Sequence, residues 1–200
     1  MSRLARILLL AALTFSVAAP AASAARTETL EGTLAALWTK VLQTPSPQNS
    51  YGSGGLAFAC WQLGSTVAPL APNGVKSCTV KPNTKIYIAE STHECSTFVP
   101  EDHAGYGTTE ADLRKCARAY DAQVAPTATV DGHSVPVTQV ETPLLNITVP
   151  ANNIFDVPAG TQGTSVAHGW VTLLDPLTLG KHKIVIHNGS STITTTITVQ

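Results

Sequence analysis

The sequence predicts a mainly β protein: a β-sandwich of immunoglobulin-like or jelly-roll-like type, with two helices in its N-terminal half and two disulfides. Three observations carry this. Thr and Val are abundant, and β-branched residues favour strands. The pairs Asn73-Gly74, Asp131-Gly132 and Asn188-Gly189 punctuate short apolar runs, as hairpin turns do. Four cysteines follow what reads as an export segment, so they are expected as disulfides and not as thiols.

The export segment is residues 1–24. Arg3 and Arg6 precede an apolar run over residues 7–19, Pro20 breaks it, and Ala22-Ser23-Ala24 supplies a small-residue cleavage site. A spanning helix needs about 20 apolar residues, more than this run offers, and no later run is longer. The mature chain is therefore expected to be secreted, extracellular or in the cell envelope, with no membrane span. It divides near residue 125. Residues 25–125 form a disulfide-containing α+β region, and residues 126–200 form C-terminal sandwich strands sharing its core. Charged residues are 12% of the chain, the net charge is −1, and Lys and Arg are scattered. A phosphate backbone asks for clustered cations, so nucleic acid is not an expected partner.

The first helix is expected over residues 29–43, where Leu30, Leu34, Leu37, Trp38 and Val41 recur every three or four positions. Pro45 and Pro47 end it, and a helix this short needs a sheet beneath it. Residues 45–55 read as a connector. A phosphate-cradling loop would follow a strand and precede a helix, and here the order is reversed; the same order argues against Ser53 as a nucleophile on a strand-to-helix turn. Strands are expected over residues 56–63, 77–81 and 84–89. A second helix follows over residues 110–124, opened by Thr109 and Asp112 in a capping-box spacing, with Leu113, Cys116, Ala117 and Tyr120 on one face. Strands then recur over residues 127–130, 134–140, 144–149, around Val166, His168 and Trp170, and over 183–186 and 191–199. Four cysteines allow three pairings, and the sequence leaves the choice open. Cys116 is turned inward, where it can meet Cys95. Cys60 can meet Cys78 only if their strands are offset or in different sheets. Either bridge is worth about 3 kcal/mol in the chain-entropy account.

Seven segments taken together carry a resemblance: VKSCTVKPNTKIYI (residues 75–88), Glu94-Cys95-Ser96, TEADLRKCARAYDAQV (109–124), ATVDGHSV (128–135), ETPLLNITVPANNIFDVPAG (141–160), HGWVTLL (168–174) and PLTLGKHKIVI (176–186). The chain resembles a family of uncharacterised secreted bacterial and archaeal proteins, to which no activity is assigned. The family pattern is an E-C-S motif, a helix of the ADLR type, a VDG hairpin and a closing PL-x-x-G-x-H strand. Relatives tend to place the first cysteine ahead of its strand, whereas Cys60 lies within it, and often carry an aromatic-proline step where this chain has Ile88-Ala89. The closing segment is also similar to the last strands of bacterial immunoglobulin-like modules, which bears on fold and not on chemistry.

Reactive side chains concentrate between residues 90 and 116. Glu90, His93, Glu94, Glu101, Asp102 and His103 are expected as a metal or ligand loop. Carboxylate oxygens suit Ca²⁺, and two histidines with a carboxylate suit Zn²⁺. No H-E-x-x-H, EF-hand or C-x-x-C spacing accompanies them, and an acidic stretch forms a solvated loop by default. No cofactor is established by these residues. A Glu90–Glu94 pair for glycoside hydrolysis needs a separation that spacing does not give. His168 beside Trp170 reads as sandwich strand before sugar platform, and His182 and His187 as surface residues. Asn146 and Asn188 head glycosylation sequons. No nucleophile–base set with its motif context is present, so no catalytic residue is named. The leading expectation is a non-enzymatic binding or envelope-associated module with an extracellular ligand. The second is a metal-dependent or acid–base hydrolase using His93, Glu94 and His103.

Overall fold

The structure, a computed structural model, describes residues 29–52, 60–70 and 76–200. The export segment, Ser53, the start of the strand expected from residue 56 and the Asn73-Gly74 turn lie outside the described residues. Two helices, α1 (Leu30–Leu42) and α2 (Glu110–Asp121), accompany eleven described strands. The first sheet runs in the order β1 (Cys60–Leu63), β2 (Thr66–Pro69), β4 (Lys85–Ser96), β9 (Gln162–Leu174), β7 (Thr138–Glu141), with β8 (Leu145–Thr148) also on β9. The second runs β3 (Lys76–Val80), β11 (Ser191–Val199), β10 (Gly180–Asn188), β5 (Thr127–Val130), β6 (His133–Val135). β2 runs parallel to β4, and β3 parallel to β11; the remaining pairs are antiparallel. The described residues are thus mainly β, with two mixed sheets, two α-helices and two disulfides. Each sheet draws strands from both sides of residue 125.

The long strands β4 and β9 hold the layers together. On one face Tyr87, Ala167 and Val171 meet Leu34, Leu37, Trp38 and Val41 of α1. On the other, Ile86, Ile88 and Leu174 meet Ile184, Ile186, Ile197 and Val199 of the second sheet. Further along that same face Cys95 and Val166 meet Leu113 and Ala117 of α2. Burying Leu- or Ile-sized side chains stabilises by roughly 1.5–3 kcal/mol each, so the clusters supply the main force joining the layers.

Local sequence accounts for the element ends. Thr29 caps α1 by accepting the Gly32 N–H at 3.0 Å. Thr109 and Asp112 cap α2 reciprocally, at 3.2 Å and 3.0 Å. Asp131 and Gly132 both take positive φ, 51° and 83°, as the tight β5–β6 turn requires. In β11, Ile197 and Val199 face the core while the alternate threonines stay partly open to solvent.

Several expectations need correction. The strand expected over residues 84–89 continues to Ser96, so Glu90, His93 and Glu94 stand on β4 and not in a loop. Both faces of this segment are covered, by different layers, which erases the alternation that marks a half-exposed strand. β9 differs for the same reason: Val166, Ala167, His168, Val171 and Thr172 are all buried. The strand expected over residues 134–140 is two strands in different sheets, β6 and β7, with Pro136 between them. Tyr120 is 41% exposed, and its neighbour Asp121 is the buried residue.

Cys60 pairs with Cys78, joining β1 of the first sheet to β3 of the second. Cys95 pairs with Cys116, joining β4 to α2. The second bridge closes a separation of 21 residues. Replacing both its cysteines with serine is expected to cost about 3 kcal/mol. Urea melts check this, and hydrogen exchange should show α2 loosening before the sheets.

Candidate functional site

A cleft of about 520 Å³ opens beside β4. Its wall includes the six consecutive residues 89–94, together with Trp38, Tyr51, His103, Tyr120 and Phe155. Successive strand side chains point to opposite faces. Thr92 and Glu94 therefore lie on the α1 side, opposite Gly169 and Ala167. Ser91 and His93 lie on the α2 side, where both reach Asp121. A β-bulge between Ala89 and Ser91 sets this parity. Gly169 faces the bulge closely: a Cβ there would stand 2.3 Å from the Ser91 carbonyl oxygen.

Glu90, at the bulge, is 3% exposed, and both its carboxyl oxygens are buried without a hydrogen-bond partner. Burial pushes its pKa up to about 8. The Thr172 hydroxyl pulls modestly the other way, but its proton is given to the Pro136 carbonyl at 2.5 Å. Glu94 is half-buried, and burial pushes it up to about 7 against the Ser165 and Ser96 hydroxyls. The wall thus holds two carboxyls that keep protons more readily than free glutamates do. Among the described residues no Lys or Arg lines the cleft.

Asp121, at the end of α2, has a fully buried side chain. It accepts from Ser91 Oγ at 3.3 Å, and its oxygens meet His93 Nδ1 at 3.1 Å and His168 Nδ1 at 3.0 Å. His93 and His168 stand directly opposite one another across β4 and β9. A carboxylate can only accept, so each imidazole presents Nδ1–H to it, which in the neutral ring leaves Nε2 as the acceptor. The His93 side chain is 40% exposed and its ring stacks on Tyr120 at 4.6 Å. His103 packs edge-on to Phe155 at 5.8 Å, and its Nδ1 accepts the Gly105 N–H.

No family model matches the chain, and no curated protein matches it. One solved structure, that of amebosin, shows a likeness with 12% identity over 64% of this chain and 99% of that one, at a TM-score of 0.22. A likeness of that size carries no argument about the fold or the site.

Of the six residues marked by the sequence, Glu90, His93, Glu94 and His103 line one cleft. Glu101 and Asp102 are exposed on the turn beyond β4 and do not line it. Among the described residues no group of three or more His, Cys, Asp or Glu side chains is placed to hold a metal ion. The missed residues are Asp121 and His168, which the chain brings to His93 from 28 and 75 positions away, and the aromatic walls Trp38, Tyr51 and Phe155. Periodicity marked Trp38 as a packing residue, and it is 7% exposed. Chemically the cleft can take an extended or flat ligand between aromatic groups, hold a cation beside a carboxyl, and offer one oriented imidazole.

Proposed function

We propose that the protein is a secreted, non-enzymatic binding module whose ligand seats in the cleft along β4. The observation that carries this reading is Glu90. A buried carboxyl with no partner costs roughly 1–3 kcal/mol or more, and a fold tolerates that cost readily where a ligand completes the hydrogen bonds. Aromatic walls with few polar groups are the usual lining of such sites. Two disulfides support an oxidising compartment, and no described helix is long and apolar enough to cross a membrane. Cleavage after residue 24, an immunoglobulin-like sandwich as the finer fold class, and kinship with the resembled secreted family belong to this same reading. The test is a ligand panel of oligosaccharides, amines and peptides, titrated while the Tyr120 and Phe155 ring resonances are followed. Binding should move both rings, and Tyr120→Ala with Phe155→Ala should weaken it about tenfold or more, the scale of losing aromatic contact area. Ligands that bind and leave both rings unmoved would place the site elsewhere.

A second reading, acid–base hydrolysis, is favoured by one observation: Asp121 orients His93 at the cleft rim. A dyad of this kind serves a general base. Turnover of chromogenic ester or glycoside substrates that disappears in His93→Gln would put this reading first.

A further inference from the structure

The cleft follows the edge of a strand, not a face. Six consecutive residues of β4 line it, and alternating side chains can do that only where the backbone edge itself is the wall. The pairing pattern agrees. β9 runs along one edge of β4 from Ile86 to Ser96. On the other edge β2 pairs only at Lys85 and Ile86; backbone hydrogen bonding resumes at Ser96, with Gly105, Tyr106 and Gly107, and Gly105 also comes close to the Glu94 carbonyl. Among the described residues, nothing pairs with that edge between these two points. Past the bulge, residues 91–95 pair regularly with β9, so this run carries no further irregularity. It spans roughly 17 Å, the length of a five-residue strand. Leu70 lines the cleft where β2 ends, and Gly105 lines it where the turn comes back.

We propose that the edge of β4 over residues 91–95 accepts an extended segment of a partner protein as an added strand, with a Lys or Arg side chain of that segment set beside Glu94 and Phe155. This rests on the binding-module reading and names its partner. Added strands take affinity from main-chain hydrogen bonds and selectivity from alternate side chains. The charge follows from the walls. Glu94 lines the cleft, a cation seated beside it favours its ionised form, and among the described residues no Lys or Arg is there to compete. Aromatic faces also attract a cation. The guest's other side chains, at alternate positions, would meet His93 and Tyr120 on the α2 side.

The test is to pan the oxidised protein against a displayed library of random twelve-residue peptides, then synthesise the winners. Expected winners share a proline-free core of about five residues with Lys or Arg at one parity. N-methylating alternate core amides should weaken binding about tenfold in one parity and barely in the other, since only one set of N–H groups faces the edge. Amides within residues 91–95 should gain hydrogen-exchange protection. Glu94→Gln should remove the preference for a cation without lowering the melting temperature. Equal sensitivity to both N-methyl parities, or a cation preference that survives Glu94→Gln, overturns the proposal. If no peptide is enriched while a glycan or amine moves the Tyr120 and Phe155 rings, the added strand is wrong and the binding cleft stands. If nothing seats in the cleft, both fail.

Discussion

Replacing Glu90 with glutamine should stabilise the protein at pH 8.5 by on the order of 4 kcal/mol and change little at pH 4. The sign follows from where each state holds its proton. Unfolded, this carboxyl has an ordinary value of 4.5; folded, burial raises it to about 8. Below pH 4.5 both states are protonated and nothing is lost. Between pH 4.5 and 8 the unfolded chain releases a proton that the folded chain retains, so stability falls as pH rises. Above pH 8 the folded chain carries the buried charge and the penalty is complete. Glutamine keeps the shape and cannot ionise, so the variant loses this slope. In a protein of this size the gain corresponds to roughly 10 °C in Tm. Urea melts at pH 4.5, 6.5 and 8.5 check it. Glu94, raised to about 7, gives the remaining slope the same sign over a narrower window, and Glu94→Gln should flatten it. Parallel profiles for wild type and Glu90→Gln would mean that the Glu90 carboxyl is solvated or paired in solution. A ligand that donates to Glu90 should change the same profile, which ties this measurement to the binding reading.

The fold was legible wherever a local rule sufficed. Leu30, Leu34, Leu37 and Trp38 announce α1 because one face is buried under a single sheet. Thr109 and Asp112 announce the start of α2 because the cap closes within four residues. Asp131-Gly132 announces its turn because both positions need positive φ. The residues of β4 beyond Ala89 were not legible. Glu90, Ser91, Thr92, His93 and Glu94 are polar at successive positions, and each is held by a partner layer distant in sequence. Pairings between sheets were equally hidden: nothing near Pro136 says that β6 and β7 part company there, and nothing near Cys78 says that β3 runs parallel to β11. The site was half visible. Composition marks where acids and histidines concentrate, but the residue that organises them, Asp121, follows a helix face on which Tyr120 looks equally suited to the interior.

Asp121→Ala is expected to cost about 3 kcal/mol, among the largest losses from a single polar side chain here. The carboxylate is fully buried and serves three groups at once: Ser91, His93 and His168. Removing it leaves three buried or half-buried donors without an acceptor and opens a void between α2 and β4. The Cys95–Cys116 bridge still ties α2 to β4, so the damage should stay near the C-terminal turn of the helix. Hydrogen exchange should rise first at Ala117 and Tyr120, with the first sheet unaffected. Asp121→Asn separates the two parts of the loss. Its oxygen still accepts from one histidine, while its NH₂ must face the other, which can comply only by moving its proton to Nε2. Asn should therefore cost less than Ala, about 1–2 kcal/mol, and one imidazole should change tautomer in nitrogen NMR. That tautomer shift also bears on function: if it falls on His93, the nitrogen facing away from Asp121 becomes a donor where it had been a base. A hydrolytic site would then lose turnover with folding nearly intact, whereas a strand-accepting cleft, held by the backbone edge of β4, would keep its peptide. Equal costs for Ala and Asn, with both tautomers unchanged, would mean that Asp121 fills space and orients neither histidine.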